Sequence, residues 1–150
     1  MSLRDRINED LKTAMKARDM TRVAQLRAIT SRFKDLDIEL RAKDAELDEG
    51  TMLSALRSMI KSRRESAALY RQGDRPELAE KEEAEITAIE HYLPPPLSDA
   101  ELDVIVQKAL AETGADSVRD LKNVMSWLRS HYGAQLDMGK MSGIVKAKLG

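Results

Sequence analysis

The 150 residues contain no cysteine, one tryptophan, one phenylalanine and three tyrosines, with 7 glycines and 4 prolines. Without cysteine, neither a disulfide framework nor thiol chemistry is available, which fits a reducing compartment. With so few rings, the core has to be built from Leu, Ile, Val, Ala and Met. No apolar run approaches the ~20 residues that a membrane span needs. The chain opens Met1-Ser2-Leu3-Arg4-Asp5-Arg6, charged at once and without the apolar stretch of a signal peptide. These absences lead to the expectation of a soluble, cytoplasmic protein. What is abundant is Ala, Leu, Glu, Lys and Arg, the composition of an all-α protein.

Net charge is only −1, so the whole chain has no general attraction for nucleic acid, but the charges are segregated. Residues 12–34 carry Lys12, Lys16, Arg18, Arg22, Arg27, Arg32 and Lys34 against Asp19 alone, a local +6. Residues 117–150 carry Arg119, Lys122, Arg129, Lys140, Lys146 and Lys148 against Asp120 and Asp137, a local +4. A run of basic residues from Arg57 to Arg75 (Lys61, Arg63, Arg64 and Arg71 between them) is followed at once by Glu77, Glu80, Glu82, Glu83, Glu85 and Glu90. That order favours pairing within the chain over an external ligand.

Three consecutive prolines, Pro94–Pro96, divide the sequence, because each lacks the N–H donor and its ring clashes with the preceding helical turn. The residue before each proline is also pushed out of the α region. The expected organisation is an N-terminal helical domain over 1–93, a stiff extended linker over 94–97, and a small three-helix tail domain over 98–150. The N-terminal part is read as a bundle or hairpin of long helices.

Before the prolines, a first helix is predicted from about Ser2 to Ala17, with Leu3, Ile7, Leu11 and Ala14 on one face. A second runs roughly from Thr21 to Arg41, with the stripe Val23, Leu26, Ile29, Phe33, Leu36 and Leu40. Residues 42–50 read as a loop, with Asp48 or Thr51 capping a third helix to about Gln72. Gly73 ends that helix, and Pro76 in a first turn opens a fourth, which runs to about Tyr92. After the prolines, Ser98 and Glu101 form a capping box, and Leu102, Ile105, Val106, Ala109 and Leu110 are the clearest amphipathic signal in the chain. Gly114 stops this helix. Ser117 and Asp120 resemble a second box opening a sixth helix, and a seventh covers about 139–149.

Few residues point to chemistry. His91 and His131 have no metal-ligand spacing and suit helix ends, where a cation favours the dipole. Asp44, Glu46, Asp48 and Gly50 fall short of a calcium loop: the glycine is one residue late and the closing Glu is absent. Ser31 and Lys34 match a Ser-x-x-Lys spacing but lie mid-helix without companion motifs. Asp120 and Asp137 could face each other near Lys140, which is weak ground for acid–base work. No phosphate-binding glycine loop is present. Catalytic residues, metal and cofactor are therefore not expected.

Read in order, Asn8-Glu9-Asp10-Leu11-Lys12, Ala14-Met15-Lys16, Leu26-Arg27, Arg64-Glu65-Ser66, Tyr70 and the series Arg75, Leu78, Glu82 form a pattern. It continues with Glu85-Ile86, Glu90, Tyr92-Leu93-Pro94, Leu97-Ser98 and Glu101-Leu102, and resumes at Gly114, Asp120, Val124-Met125, Gly133, Asp137, Gly139-Lys140 and Val145-Lys146. Over essentially its whole length the chain resembles the stand-alone members of the GatB/YqeY family. These are similar to the C-terminal tail domain of the B subunit of tRNA-dependent amidotransferases. The resemblance implies an all-helical, two-part fold whose tail helps to hold tRNA while catalysis belongs to other domains and subunits. One departure stands out. Where the family often has Asp-Met-Gly-Lys-Val-Met, this chain has Asp120-Leu121-Lys122-Asn123-Val124-Met125, which moves the cation by one residue, about 100° around a helix.

The expected function is therefore a non-catalytic module that binds tRNA or a tRNA-bearing synthetase or amidotransferase complex. Lys122, Arg129, Lys140, Lys146 and Lys148 are the expected RNA contacts, since phosphates need only such charges, and helix N-termini can add donors. The alternatives are a protein-interaction adaptor, and an accessory component of a glutamine-dependent tRNA amidotransferase, a carbon–nitrogen ligase.

Overall fold

The computed structural model describes residues 1–150, Ala134 by its backbone alone. Ser2 starts the first helix, α1 (Leu3–Lys16), with a reciprocal cap: its side chain accepts from the Asp5 N–H at 3.1 Å, and the Asp5 carboxylate accepts from the Ser2 N–H at 3.4 Å. The chain turns through Arg18, whose φ is +58°, and Asp19 caps α2 (Met20–Arg41) by accepting from the Arg22 N–H at 3.1 Å. Of the two cap candidates for α3 (Glu49–Gln72), Asp48 is the one used, accepting from the Thr51 N–H at 2.7 Å. The helix therefore takes in Glu49 and Gly50, which had read as loop. Thr51 donates to the cap rather than forming it.

The turn into α4 (Pro76–Glu90) also departs from expectation. Gly73 closes α3 but keeps an ordinary φ of −87°, and Asp74 takes the left-handed conformation at φ +57°. Aspartate tolerates that region through local polar contacts, so the glycine is not needed for it. α4 stops at Glu90, two residues short of the expected Tyr92.

The helices after the prolines are α5 (Asp99–Thr113), α6 (Leu121–Tyr132) and α7 (Met138–Leu149). The Ser98–Glu101 capping box forms as expected. The second box does not. Residues 118–120 make a 3₁₀ turn, Ser117 contributes no side-chain cap, and the Asp120 carboxylate accepts from the Asp116 N–H at 3.1 Å. Aspartate, one methylene shorter than glutamate, is held by the preceding turn instead of closing the box. Among the described residues no strand occurs, so the all-α expectation holds.

The chain divides into two compact units, Met1–Leu93 and Pro94–Gly150. In the first, α1 packs on α2, α3 on α4, and α2 touches both α3 and α4. Arg4 near the start of α1 reaches Asp37 near the end of α2, with N–O distances of 3.0 and 2.5 Å, so these two helices run antiparallel. Those two bonds hold the Asp37 carboxyl below the ordinary carboxylate range. The expected α2 stripe is the core: Val23, Leu26, Ile29 and Phe33 are all essentially without exposed surface, and Ile7 and Leu56 join them.

Tyr92 is a finding the helical pattern did not contain. It lies beyond the end of α4, is only 2% exposed, and its hydroxyl donates to the Asp10 carboxylate of α1. Arg22 of α2 donates to the same hydroxyl oxygen at 3.5 Å, and the Arg6 guanidinium stands over the ring at 5.7 Å. Burial and the bond to Asp10 push the Tyr92 hydroxyl above its ordinary range, against the pull of Arg22 and Arg6. The residue two before Pro94 is thus tied to two other helices of its own unit. Tyr92→Phe removes a bond to a charged group and leaves half-buried Asp10 short of a partner, so urea unfolding should show a loss of about 1.5–3 kcal/mol.

In the second unit, Leu102, Val106, Ala109, Val124, Leu128, Leu136, Met141 and Val145 form the core, with Leu97 packed against it. Gly133 links α6 to α7 with φ +52° and ψ −124°, a conformation that a side chain strains even though the space around it is open. Gly143, in the middle of α7, also has open space but ordinary helical geometry. Opposite outcomes are expected for the same change. Gly133→Ala should destabilise by about 1–3 kcal/mol, and Gly143→Ala should stabilise by about 0.5–1 kcal/mol, both read from thermal melts.

Candidate nucleic-acid interface

Of the three basic stretches in the sequence, those over 57–75 and 117–150 meet different fates. Along α3, Arg63 donates to Glu85 at 3.0 Å, Arg71 to Glu83 at 2.7 Å and Arg64 to Glu90 at 3.5 Å. All three glutamates belong to α4. Arg63 sits where the near-heptad spacing of Leu53, Leu56, Ile60, Ala67 and Tyr70 wants an apolar residue, and there its half-buried guanidinium also donates to the Met59 carbonyl at 3.3 Å. These cations are committed to holding α3 against α4, as their order along the chain implied.

The cations of α6 and α7 are not committed in this way. Lys122, Arg129, Lys140 and Lys146 are all exposed, and among the described residues none of their side chains has an ion-pair partner. Lys148 is the exception, paired with Asp103 of α5. The unit is charge-polarised: α5 bears Asp99, Glu101, Asp103 and Glu112 against Lys108, whereas α6 and α7 bear no acidic residue.

Helical geometry arranges these charges. Lys122 and Arg129 are seven residues apart on α6, on one shoulder of the helix and about 10 Å apart along its axis. On α7, Lys140 and Lys146 flank the exposed small residues Gly139, Gly143 and Ala147. α6 packs on α7, so both pairs belong to one helical layer. Asp137 caps α7 by accepting from the Gly139 and Lys140 N–H groups at 3.1 and 3.3 Å. Asp137 and Asp120 thus both serve as acceptors for backbone N–H groups at helix starts.

The other shoulder of α6 is aromatic, a feature that the charge pattern of the sequence does not show. Trp127 and His131 are stacked, with ring centroids 4.0 Å apart and planes 18° from parallel. His131 Nδ1 lies 2.9 Å from the Trp127 carbonyl oxygen; that oxygen can only accept, so Nδ1 carries the proton. Tyr132 stands 6.1 Å from Trp127, tilted. The signal was present as an i, i+4 aromatic pair at the end of a basic helix.

The remaining candidates are explained locally. Asp44 occupies a turn at φ +56°, Asp48 caps α3, His91 caps the end of α4, and Ser31 and Lys34 lie exposed on α2. Among the described residues no three His, Asp or Glu side chains converge as metal ligands do.

Fold and surface together define an all-helical, two-unit protein with a basic, partly aromatic helical layer in its C-terminal unit. Residues 4–149 match the model of the family described as Yqey-like protein, and the chain belongs to that family. Among curated relatives, a protein of Vanderwaltozyma polyspora named "Altered inheritance of mitochondria protein 41, mitochondrial" is 32% identical over 150 residues, covering 95% of this chain and 80% of the relative. The proteins of the same name from Lachancea thermotolerans and Kluyveromyces lactis are 35% and 33% identical over 108 residues, 71% of this chain. The matched part is 57% of each of those two relatives, little more than half their length. The cytoplasmic expectation is overturned by these names, all of which are those of mitochondrial proteins. It rested on the lack of cysteine, of an apolar span and of a signal-like start, and none of these features separates one aqueous compartment from another.

Proposed function

We propose that this protein is a non-catalytic RNA-binding module that holds tRNA, alone or within a tRNA-bearing complex, through the α6–α7 layer. The observation that carries this reading is the contrast in charge pairing. Arg63, Arg64 and Arg71 of α3 are neutralised by α4, whereas Lys122, Arg129, Lys140 and Lys146 remain exposed and unpaired among the described residues. Unpaired cations spread over two adjacent helices suit a polyanion, whose phosphates recur along a strand and whose counterions are released on contact. The small residues between Lys140 and Lys146 let a phosphate backbone come close to the helix. The family resemblance to the amidotransferase tail supports the choice of tRNA among polyanions.

The test is fluorescence anisotropy with labelled tRNA from low to moderate salt. Binding that weakens steeply as salt rises is expected, and no binding at low salt would refute the reading. Direct contact distinguishes this reading from an adaptor, whose pull-down of a synthetase or amidotransferase subunit would survive nuclease and high salt.

A further inference from the structure

The stacked rings of Trp127 and His131 do no work in phosphate binding, yet they are ordered and open. Trp127 is half-buried and packs on the core of its unit, which fixes its ring. His131 lies on it in near-parallel stacking and is anchored by the Nδ1–H bond to the Trp127 carbonyl, so its ring orientation is set before any ligand arrives. His131 is exposed, which leaves the ring face turned away from Trp127 to solvent. Two of the five Trp, Tyr and Phe residues of the chain, Trp127 and Tyr132, fall within this short stretch of a basic helix.

We infer that the Trp127–His131 pair is a stacking platform for one unpaired nucleobase of the bound RNA. This rests on the RNA-binding reading above and sharpens it from a phosphate surface to one that prefers a single-stranded segment. Every base has a π-face, so such a platform tolerates sequence while discriminating against paired bases, whose faces are already stacked. An ordered platform loses little freedom on binding. Arg129 is two residues from each ring and leaves the opposite side of the helix, so the platform and the α6 cations would engage different parts of one RNA. The exposed cations that α6 and α7 carry in the same unit favour an RNA over an extended proline-rich peptide, the other ligand that aromatic surfaces take.

The experiment uses the full chain and two RNA hairpins, one blunt and one ending in a short single-stranded adenosine overhang. Affinities come from anisotropy, and the ring protons of the two histidines, His91 and His131, are followed by NMR. The overhang is expected to bind roughly 5- to 100-fold more tightly than the blunt hairpin, to move the His131 ring signals upfield, and to leave His91 in place. His131→Ala, an exposed position, should remove the preference while keeping binding to the blunt hairpin. Equal affinities with unmoved His131 signals would overturn the platform and leave the RNA-binding reading standing. Failure of both hairpins to bind would remove the reading and the platform together. Movement of His131 by a proline-rich peptide but not by the overhang would also overturn it.

Discussion

Alanine at Lys122, Arg129, Lys140 and Lys146 together is expected to flatten the salt dependence of tRNA binding almost completely. If each cation neutralises one phosphate, the slope of log K against log salt is about −0.9 per contact on a duplex, hence roughly −3.6 for the four. That slope corresponds to a fall of roughly 100-fold in affinity between 50 and 200 mM salt in the parent protein. Single substitutions should each reduce the slope by about one unit and weaken binding to all sequences alike. All four side chains are exposed, so each replacement should change stability by no more than about 0.5 kcal/mol, and unchanged melts would separate lost contact from lost fold. Lys148→Ala is the internal contrast. Its charge is engaged by Asp103, so its loss should alter the salt slope least of the five. A slope that survives the fourfold variant would place the RNA contact elsewhere on the chain.

Phe33→Ala should be the most damaging single change in the N-terminal unit. The ring has no exposed surface, and the Arg4 guanidinium that pairs with Asp37 lies 6.0 Å from its centre. Removing a buried phenylalanine costs about 3–5 kcal/mol, a large share of the roughly 5–15 kcal/mol that holds an ordinary domain together. In a unit of this size a loss of that order lowers the melting temperature by roughly 12 °C or more. Ile38→Ala, five residues further along the same helix, supplies the comparison. Ile38 is apolar but 67% exposed, so its removal should stay within about 0.5 kcal/mol. Similar melting points for the two variants would mean that the α2 stripe does not form the core described.

Those two positions show how far pattern alone reaches. The spacing Val23, Leu26, Ile29, Phe33, Leu36, Leu40 includes Phe33 and leaves Ile38 out, and burial follows it as far as Leu36, with Leu40 only half-buried. Helical periodicity is a property of neighbouring residues, so a linear chain displays it. The same holds for the caps at Ser2 and Ser98, which need only a partner three residues on, and for the break at Pro94–Pro96. Local rules failed where two local solutions compete. Asp74 rather than Gly73 adopts the left-handed turn, and Asp120 bonds the Asp116 N–H rather than closing a box with Ser117.

Composition, periodicity and capping residues in the sequence by itself determined the all-helical class, the seven helices and most of the apolar face of each, because each depends on residues only a few positions apart or on the whole list at once. Tertiary structure alone decided which charges are spent and which remain free. Arg63 meets Glu85, Lys148 meets Asp103 and Tyr92 meets Asp10 only because helix register brings distant positions within bonding reach. The same register leaves Lys122, Arg129, Lys140 and Lys146 facing water without a partner among the described residues, and holds Trp127 on the core so that the His131 ring stays open above it. Charge counting along a chain cannot separate these outcomes, since ion pairing depends on distances of a few ångströms between helices that sequence spacing does not encode.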